Sequence, residues 1–358
     1  MKKSFIALAV LAASGVASAQ STVTLYGLVD AYVGSQKING LTQNGVNLAS
    51  PAGGSGGGLN TSRFGFKGSE DLGGGLKANF VLEAGFDPST GVANNYTSPY
   101  TGKTDSAIFG RQSWVGLSGG FGEVRVGKMW TPYDEVKGSG AAAFDANIFA
   151  PAANVWASNG YSDRPGNSVY YATPSFGGVT AAALYSLGEN KTATPTGTVS
   201  AGKLASANIA YAGGPVAVAL SHQVEKADGS TTATRFTQLN ASYDFGVVKL
   251  LGALGHVKKG FNPYDSTLKV SKSTEYQIGL DVPVSSAVTL SGGYAHSKDT
   301  QYAGGPDITR KGYGLAGLYA LSKRTNLYAG VQDSKQNAYA LTGENKIRIY
   351  ALGVRHTF

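Results

Sequence analysis

Segments of about ten residues, in which apolar and polar side chains alternate, recur along most of the chain and end at Gly, Pro, Asn or Asp. Alternation with a period of two is typical of β-strands that have one apolar and one polar face. The pattern predicts sixteen strands. They cover about residues 22–34, 60–70, 74–87, 105–118, 121–130, 167–174, 178–187, 203–212, 215–225, 233–244, 247–258, 272–283, 287–298, 309–320, 325–335 and 346–358.

The connections between these segments are of two kinds that alternate strictly along the chain. Short connections lie at 71–73, 119–120, 174–177, 213–214, 245–246, 285–286 and 322–324. Long ones lie at 35–59, 88–104, 131–166, 188–202, 226–232, 259–271, 299–308 and 336–345. A transmembrane barrel has an even number of strands, short periplasmic turns and long external loops. The predicted fold is all-β, a sixteen-stranded antiparallel transmembrane β-barrel.

The phase of the alternation predicts which side of each strand meets lipid. In 76–86 the even-numbered residues are Leu, Ala or Phe, while Lys77, Asn79 and Glu83 share the other face. Phe64 and Phe66 likewise point opposite to Arg63 and Lys67 in 63–67. These two strands alone would also suit a soluble sandwich with one wet face. The even count, the sorted connections and the chain's N-terminus favour the barrel.

The N-terminus has the three parts of a secretory signal peptide. Residues 1–3 are Met-Lys-Lys, 5–13 are apolar, and 17–19 are Ala-Ser-Ala. The apolar stretch is too short to cross a bilayer as a helix. We expect residues 1–19 to be cleaved, so that the mature chain starts near Gln20 and residues 20–358 form the barrel.

Composition agrees with a large Gly-rich β protein. The 358 residues include 51 Gly, 20 Tyr and no Cys, and only 15% are charged. Thirty Lys and Arg face 22 Asp and Glu, a formal net charge of +8. Without cysteine there is no disulfide framework, thiolate metal site or cysteine nucleophile.

The C-terminal segment alternates and ends on an aromatic residue. Leu352, Val354, His356 and Phe358 share one face. This resembles the terminal signal that the barrel-assembly machinery of the outer membrane recognises, so we assign Phe358 as the assembly signal.

Six blocks of sequence, in order along the mature chain, resemble the general porins of β-proteobacteria. The resemblance implies a homotrimer in the outer membrane of a Gram-negative bacterium, where it meets lipid and lipopolysaccharide. It also implies that each subunit holds a water-filled pore, which the third external loop narrows by folding inward. The blocks are 22–30 (TVTLYGLVD), 62–78 (SRFGFKGSEDLGGGLKA), 109–117 (FGRQSWVGL), 241–246 (ASYDFG), 319–325 (YALSKRT) and 353–358 (GVRHTF).

Residues 131–166, the longest unpatterned stretch of the mature chain, are predicted to be that constriction loop. A loop of this length without strands is commonly functional. We expect its acidic residues Asp134, Glu135 and Asp145, with Glu83 from the wall, to form the acidic side of the constriction. The alternative is a mobile loop exposed to solvent.

A basic wall is predicted opposite the loop. Arg63, Lys67, Arg111 and Arg125 lie on phases that face the lumen, and Arg164 follows the loop. The family carries arginines at the positions of Arg63 and Arg111 and a glutamate at that of Glu83. Basic groups in a confined ring concentrate anions. The sequence therefore predicts passive diffusion of small anions and hydrophilic solutes through an anion-preferring channel.

Other functions are less well supported by the sequence. Residues 122–129 (GEVRVGKM) lack the Ser or Thr that a phosphate-binding loop needs to reach Mg²⁺, and no Gly-x-Ser-x-Gly motif occurs. The four histidines are scattered without metal-ligand spacing, and the basic residues are too dispersed for nucleic-acid binding. We therefore expect no enzyme activity, metal or cofactor. A barrel enzyme with a rim site, or an adhesin or receptor role of the loops, remains an alternative.

Overall fold

The computed structural model describes most of the chain after residue 21. The described ranges are 22–48, 57–93, 96–97, 104–105, 107–188, 192–194, 197–199, 202–227, 229–262, 265–301, 305–339 and 343–358. The predicted signal peptide, residues 1–19, lies outside them.

Sixteen long strands in the described ranges form one barrel wall, numbered here in chain order. They are β1 (Thr22–Ile38), β2 (Arg63–Gly73), β3 (Leu76–Gly85), β4 (Gln112–Gly119), β5 (Gly122–Lys128), β6 (Ser168–Ala172), β7 (Val179–Ser186), β8 (Lys203–Gly213), β9 (Val216–Lys226), β10 (Thr234–Asp244), β11 (Lys249–Asn262), β12 (Asp265–Pro283), β13 (Val288–Gln301), β14 (Ile308–Ala320), β15 (Thr325–Tyr339) and β16 (Gly343–Thr357).

Each strand pairs antiparallel with its neighbours in sequence, and the first strand closes the barrel against the last. β1 pairs with β2 on one side and with β16 on the other, where the register runs from Leu28 opposite Thr357 to Ile38 opposite Ile347. Gly27 and Phe358 exchange two backbone hydrogen bonds, of 3.2 and 3.0 Å. A side chain at Gly27 would collide with the Phe358 ring, so glycine lets the terminal aromatic lie against β1. The predicted fold is confirmed.

The alternation predicts the two faces of the wall. On β12, Tyr276, Ile278 and Leu280 are exposed on the outer surface, whereas Glu275 and Gln277 are buried on the lumen side. A polar lumen inside an apolar outer surface is the arrangement of a barrel that spans a membrane. In the part of the chain that the structure describes, no helix is long and apolar enough to cross a membrane.

Strand ends at the long loops differ most from the predictions. β12 begins at residue 265 rather than 272, β15 ends at 339 rather than 335, and β4 begins at 112 rather than 105. Beyond the lipid, hairpin pairing can extend or shorten a strand without changing its apolar pattern. The structure also has a strand at Leu41–Val46 that pairs with β1, and two short hairpins, Tyr96–Thr97 with Thr104–Asp105 and Thr192–Thr194 with Gly197–Val199.

The third long loop lies inside the barrel. It begins with helix α1 (Pro132–Lys137) and continues through three 3₁₀ turns, Gly138–Gly140, Ala143–Asp145 and Ala157–Gly160. Ala143, Phe144 and Asp145 all have positive φ, between 47° and 63°. That unusual backbone turns the loop sharply where it meets the wall.

Glycines on the lumen side of β12, β13 and β14 let the loop lie directly on the wall. A Cβ at Gly279 or Gly293 would collide with the Ala142 side chain, and one at Gly314 would collide with the carbonyl oxygen of Phe149. The loop backbone therefore approaches the wall closely at these positions.

Adding one methyl group at this contact should loosen the loop. For Gly314→Ala we expect a lower free energy of unfolding, by about 1–3 kcal/mol, because a tightly packed contact is overfilled. We also expect faster proteolysis within 131–166, because the loop is displaced from the wall. Gly252→Ala is the control, since its added Cβ has no atom closer than 3.8 Å. Equal stability and proteolysis of the two variants would contradict close packing of the loop.

Candidate functional site in the barrel lumen

One carboxylate is shared by two arginines on the wall formed by β2, β3 and β4. Glu83 accepts a hydrogen bond from Arg111 Nε at 2.7 Å and lies 3.8 Å from Arg63 Nε. The Tyr26 hydroxyl also donates to Glu83, at 3.0 Å. Glu83 and Arg111 are buried, whereas about a quarter of the Arg63 side chain remains exposed. Arg63 is thus the charge of this cluster that water in the lumen meets.

A tryptophan at the start of the loop joins two of the basic residues. The guanidinium carbon of Arg111 lies 5.3 Å from the centre of the Trp130 ring, and that of Arg164 lies 4.4 Å away. Lys128 donates to the backbone oxygen of Arg164 at 2.5 Å, and Asp163 forms an ion pair with the Arg164 side chain at 3.0 Å. These contacts hold both guanidinium groups in place. The cation–π contacts add attraction without neutralising the positive charge.

Helix α1 positions two acidic residues of the loop. The Thr131 side chain caps the helix by accepting the Asp134 N–H at 3.3 Å, and Pro132 occupies the first turn, where its missing N–H costs nothing. The helix N-terminus favours nearby negative charge, and Asp134 and Glu135 lie there. The Tyr161 hydroxyl donates to Asp134.

The far half of the loop is fixed to the opposite wall by buried polar contacts. Arg310 of β14 donates to the backbone oxygen of Val155 at 2.5 Å and pairs with Asp299 of β13, both side chains being fully buried. Glu275 accepts hydrogen bonds from the backbone N–H and the hydroxyl of Ser158, at 3.2 and 2.5 Å. The loop therefore crosses the lumen and is held at both sides.

A cavity of about 380 Å³ lies between the loop and the wall. The structure brings five of the predicted residues to its lining. These are Arg63, Arg111, Arg164, Asp134 and Asp145.

The other four predicted constriction residues are absent from the lining. Glu83 lies behind Arg63 and Arg111, within the basic cluster instead of opposite it. Lys67 faces the Tyr26 ring at 5.2 Å, four residues farther along β2. Arg125 pairs with Glu123 at 2.6 Å and lies 3.7 Å from Glu135, which accepts a hydrogen bond from Tyr170 at 3.0 Å.

The lining also contains residues that the sequence analysis did not predict, among them Trp130, Lys137 and Asp163. A sequence signal that could have identified Lys137 is the capped turn that starts at Thr131. A helix at this position places Asp134 and Lys137 on one face. No pattern in the sequence indicates that Trp130 and Asp163 face the cavity, since this depends on the path of the loop. In the described residues, no cluster of three His, Asp or Glu could hold a metal ion.

A closed sixteen-stranded barrel, with a polar lumen narrowed by a charged loop, defines a channel protein of the porin class. The family model described as Gram-negative porin matches residues 7–339, and the chain belongs to this family. It is therefore an outer-membrane protein and a porin.

Individual relatives agree over nearly the whole chain. Outer membrane porin protein 32 of Delftia acidovorans is 34% identical over 99% of this chain and 95% of its own length. An outer membrane porin protein of Bordetella pertussis is 32% identical, with full coverage of both chains. Among solved structures, the anion-selective porin from Comamonas acidovorans is 29% identical and covers 94% of this chain and 100% of its own, with a TM-score of 0.72.

Two loop carboxyls titrate close to neutral pH. Burial raises the pKa of Asp134 to about 6, although Lys137, Arg164 and the hydrogen bond from Tyr161 oppose the shift and Asp163 adds to it. Burial also raises the pKa of Glu135 to about 7, opposed by Tyr170 and Arg125. Both groups are negative above these values and neutral below them.

We therefore expect the chloride-to-potassium permeability ratio to increase as the pH falls from 8 to 5. Protonation removes negative charge from the cavity, and Asp134 accounts for most of the effect because it lines the cavity. The reversal potential across a KCl gradient measures the change. Asp134→Asn should raise the ratio at pH 8 and flatten its pH dependence. An unchanged pH profile in this variant would show that other groups titrate.

Proposed function

We propose that this porin forms a water-filled channel for passive diffusion of ions and small hydrophilic solutes, and that it prefers anions. The observation that carries the anion preference is the cluster of Arg63, Arg111 and Arg164 beside the cavity. Membership of the porin family supports the channel. The anion-selective relative from Comamonas acidovorans supports the sign of the preference.

The exposure of the charges matters more than their number. Four basic and three acidic side chains line the cavity in the described residues, and Glu83 offsets a further positive charge. However, Glu83 is buried behind the arginines, whereas Arg63 reaches the lumen. A passing solute therefore meets the guanidinium group first. Charges elsewhere on the chain contribute less, because salt screens them beyond about 8 Å.

The loop acids and the wall arginines also make a transverse field across the cavity. Asp134, Asp145 and Asp163 come from the loop, while Arg63 and Arg111 come from the wall. Such a field orients dipolar solutes and disfavours apolar ones. Transport of this kind needs no chemical step, and we propose that the chain has no enzyme activity and needs no cofactor.

The placement of the histidines supports this proposal against a catalytic site in the lumen. His222, His256, His296 and His356 all lie on strand phases that face outward, away from the cavity. His222 contacts Thr237 at 2.8 Å, His296 stacks on Tyr276, and His356 contacts Thr325 at 2.9 Å. General-base catalysis by histidine would need an imidazole within reach of a bound substrate.

The remaining expectations concern assembly and processing. We propose that the barrel forms a homotrimer, that residues 1–19 are removed, and that Phe358 directs insertion through the barrel-assembly machinery. The family resemblance supports these steps. The contact between Phe358 and Gly27 gives the terminal residue a structural role as well, since it completes the β1–β16 seam.

Two variants, each of which removes one positive charge, test which basic residues determine the ion selectivity. Arg63→Gln should lower the chloride-to-potassium permeability ratio severalfold, because it removes the exposed guanidinium group of the cavity. Lys67→Gln is the matched control, since Lys67 lies on the same strand and the same phase but outside the lining. Reversal potentials of reconstituted single channels in a KCl gradient give both ratios. Equal changes would mean that total lumen charge, rather than the cavity cluster, decides selectivity.

A further inference from the structure

A buried carboxylate on β1 holds the returning end of the first long loop. Asp30 is fully buried on the lumen face of the wall. It accepts hydrogen bonds from three consecutive backbone N–H groups, those of Gly58, Leu59 and Asn60, at 3.1, 3.0 and 2.7 Å. Hydrogen bonds to an ionised carboxylate are among the strong ones in proteins. We call residues 57–61, which these bonds hold in place, the inner segment.

The inner segment is held at the seam where the barrel closes. Asp30 of β1 lies directly opposite Arg355 of β16. Arg355 donates a hydrogen bond to the side-chain oxygen of Asn60 at 2.7 Å, and the Tyr328 hydroxyl of β15 donates to Asp30. The first strand and the last two strands therefore hold the inner segment together, so its complete set of contacts forms only when β1 and β16 have paired.

The inner segment in turn supports the constriction loop. The backbone N–H of Asn147 donates to the carbonyl oxygen of Leu59 at 3.2 Å. The backbone N–H of Ile148 donates to the carbonyl oxygen of Gly58, also at 3.2 Å. The Leu59 side chain is buried and belongs to the same apolar cluster as Ile148 and Phe149. This part of the loop therefore rests on the inner segment, whereas its far half is fixed directly to the wall.

The inner segment also reaches the cavity. Asn60 and Thr61 are part of the cavity lining, whereas Asp30 is not. Displacing the inner segment would therefore remove one side of the lining and, at the same time, a support of the constriction loop. Both changes would widen the passage.

We propose that Asp30 is a positioning residue of the channel, and that the inner segment sets the width of the passage together with the constriction loop. The Asp30 carboxylate does not meet a passing solute, because it is buried and lies outside the cavity lining. It acts through the backbone of residues 58–60, which it holds. The inference rests on the proposed channel, since the width of the passage matters only in a protein that lets solutes through.

Two variants should release the inner segment by different means. In Asp30→Asn, an amide group replaces one of the two carboxylate oxygens and faces hydrogen-bond donors that it cannot accept. In Gly58→Ala, the added Cβ would lie 2.2 Å from the hydroxyl oxygen of Tyr328, and no charge changes. The two variants therefore separate the position of the inner segment from the charge of Asp30.

Each variant has a matched control outside the inner segment. Asp281→Asn removes a carboxylate from the lumen side of β12, where it accepts a hydrogen bond from Ser291 and does not line the cavity. Gly252→Ala adds a Cβ that has no neighbour closer than 3.8 Å. Swelling of liposomes that contain each protein gives the permeability of a neutral trisaccharide relative to that of a neutral pentose. Hydrogen exchange reports the protection of the amides of residues 58–60.

We expect Asp30→Asn and Gly58→Ala to raise the trisaccharide-to-pentose ratio severalfold, because channel width limits the larger solute more strongly. The amides of residues 58–60 should exchange about tenfold faster in Asp30→Asn, since their hydrogen bonds to a carboxylate are lost or weakened. Both controls should behave as wild type. The ratio does not depend on the lost charge, because both solutes are neutral. A purely stabilising role of Asp30 would lower the unfolding temperature and leave the ratio unchanged.

An unchanged or smaller ratio in a variant whose amides at 58–60 exchange faster would overturn the proposal. So would a raised ratio without faster exchange, or an equal rise in Asp281→Asn. If Asp30→Asn does not fold, Gly58→Ala decides alone. Wild-type protein that passes neither sugar would refute the channel itself, while the exchange rates would still show whether Asp30 holds the inner segment.

Discussion

In the hydrocarbon of a membrane no water is available to pair with backbone groups, so the protein must pair every N–H and C=O of its wall internally. The pairing of β1 with β16 meets this requirement, because it leaves no strand edge facing lipid. Closure also separates two surfaces that alternate along every strand. Within the hydrocarbon layer the outer surface must be mainly apolar, and most polar side chains of the wall lie in the lumen. The presence of a hydrated path is therefore a direct consequence of the hydrogen-bonding constraint.

The same constraint determines how the loop is held within the lumen. Residues 131–166 carry backbone groups that must find partners once the loop enters the barrel, and polar side chains of the wall provide them. Arg310 and Glu275 accomplish this for Val155 and Ser158. A buried ion pair such as Arg310–Asp299 adds little stability relative to an apolar pair of the same size, because both ions lose their hydration. Its evident effect here is to fix the position of the loop and thus the shape of the cavity.

The sequence predicts the wall well and the cavity only in part, for a physical reason. Lipid imposes a period of two on each strand, so the number of strands, their faces and the phases of Arg63 and Arg111 can be read directly. Phase does not give height along the barrel, and Lys67 shares the phase of Arg63 but lies outside the lining. Phase also does not show whether a neighbouring residue neutralises a charge. Arg125 faces the lumen, but its side chain forms an ion pair with Glu123. The loop has no period at all. Its path depends on three residues with positive φ and on glycines of strands far away in sequence.

Basic residues occur on both surfaces, and their side-chain types suit the two environments. In the lumen, Arg63, Arg111 and Arg310 share carboxylates or stack on an aromatic ring, contacts that need a planar group with several donors in fixed directions. On the outer surface, the exposed basic residues Lys258, Lys272 and Lys311 are lysines, which hold a point charge on a flexible stem. A rigid charge keeps an electric field constant across a narrow cavity, whereas a charge on the outer surface contributes little to that field. The alternation of the strand thus separates the basic residues that act on the cavity from those that face away from it.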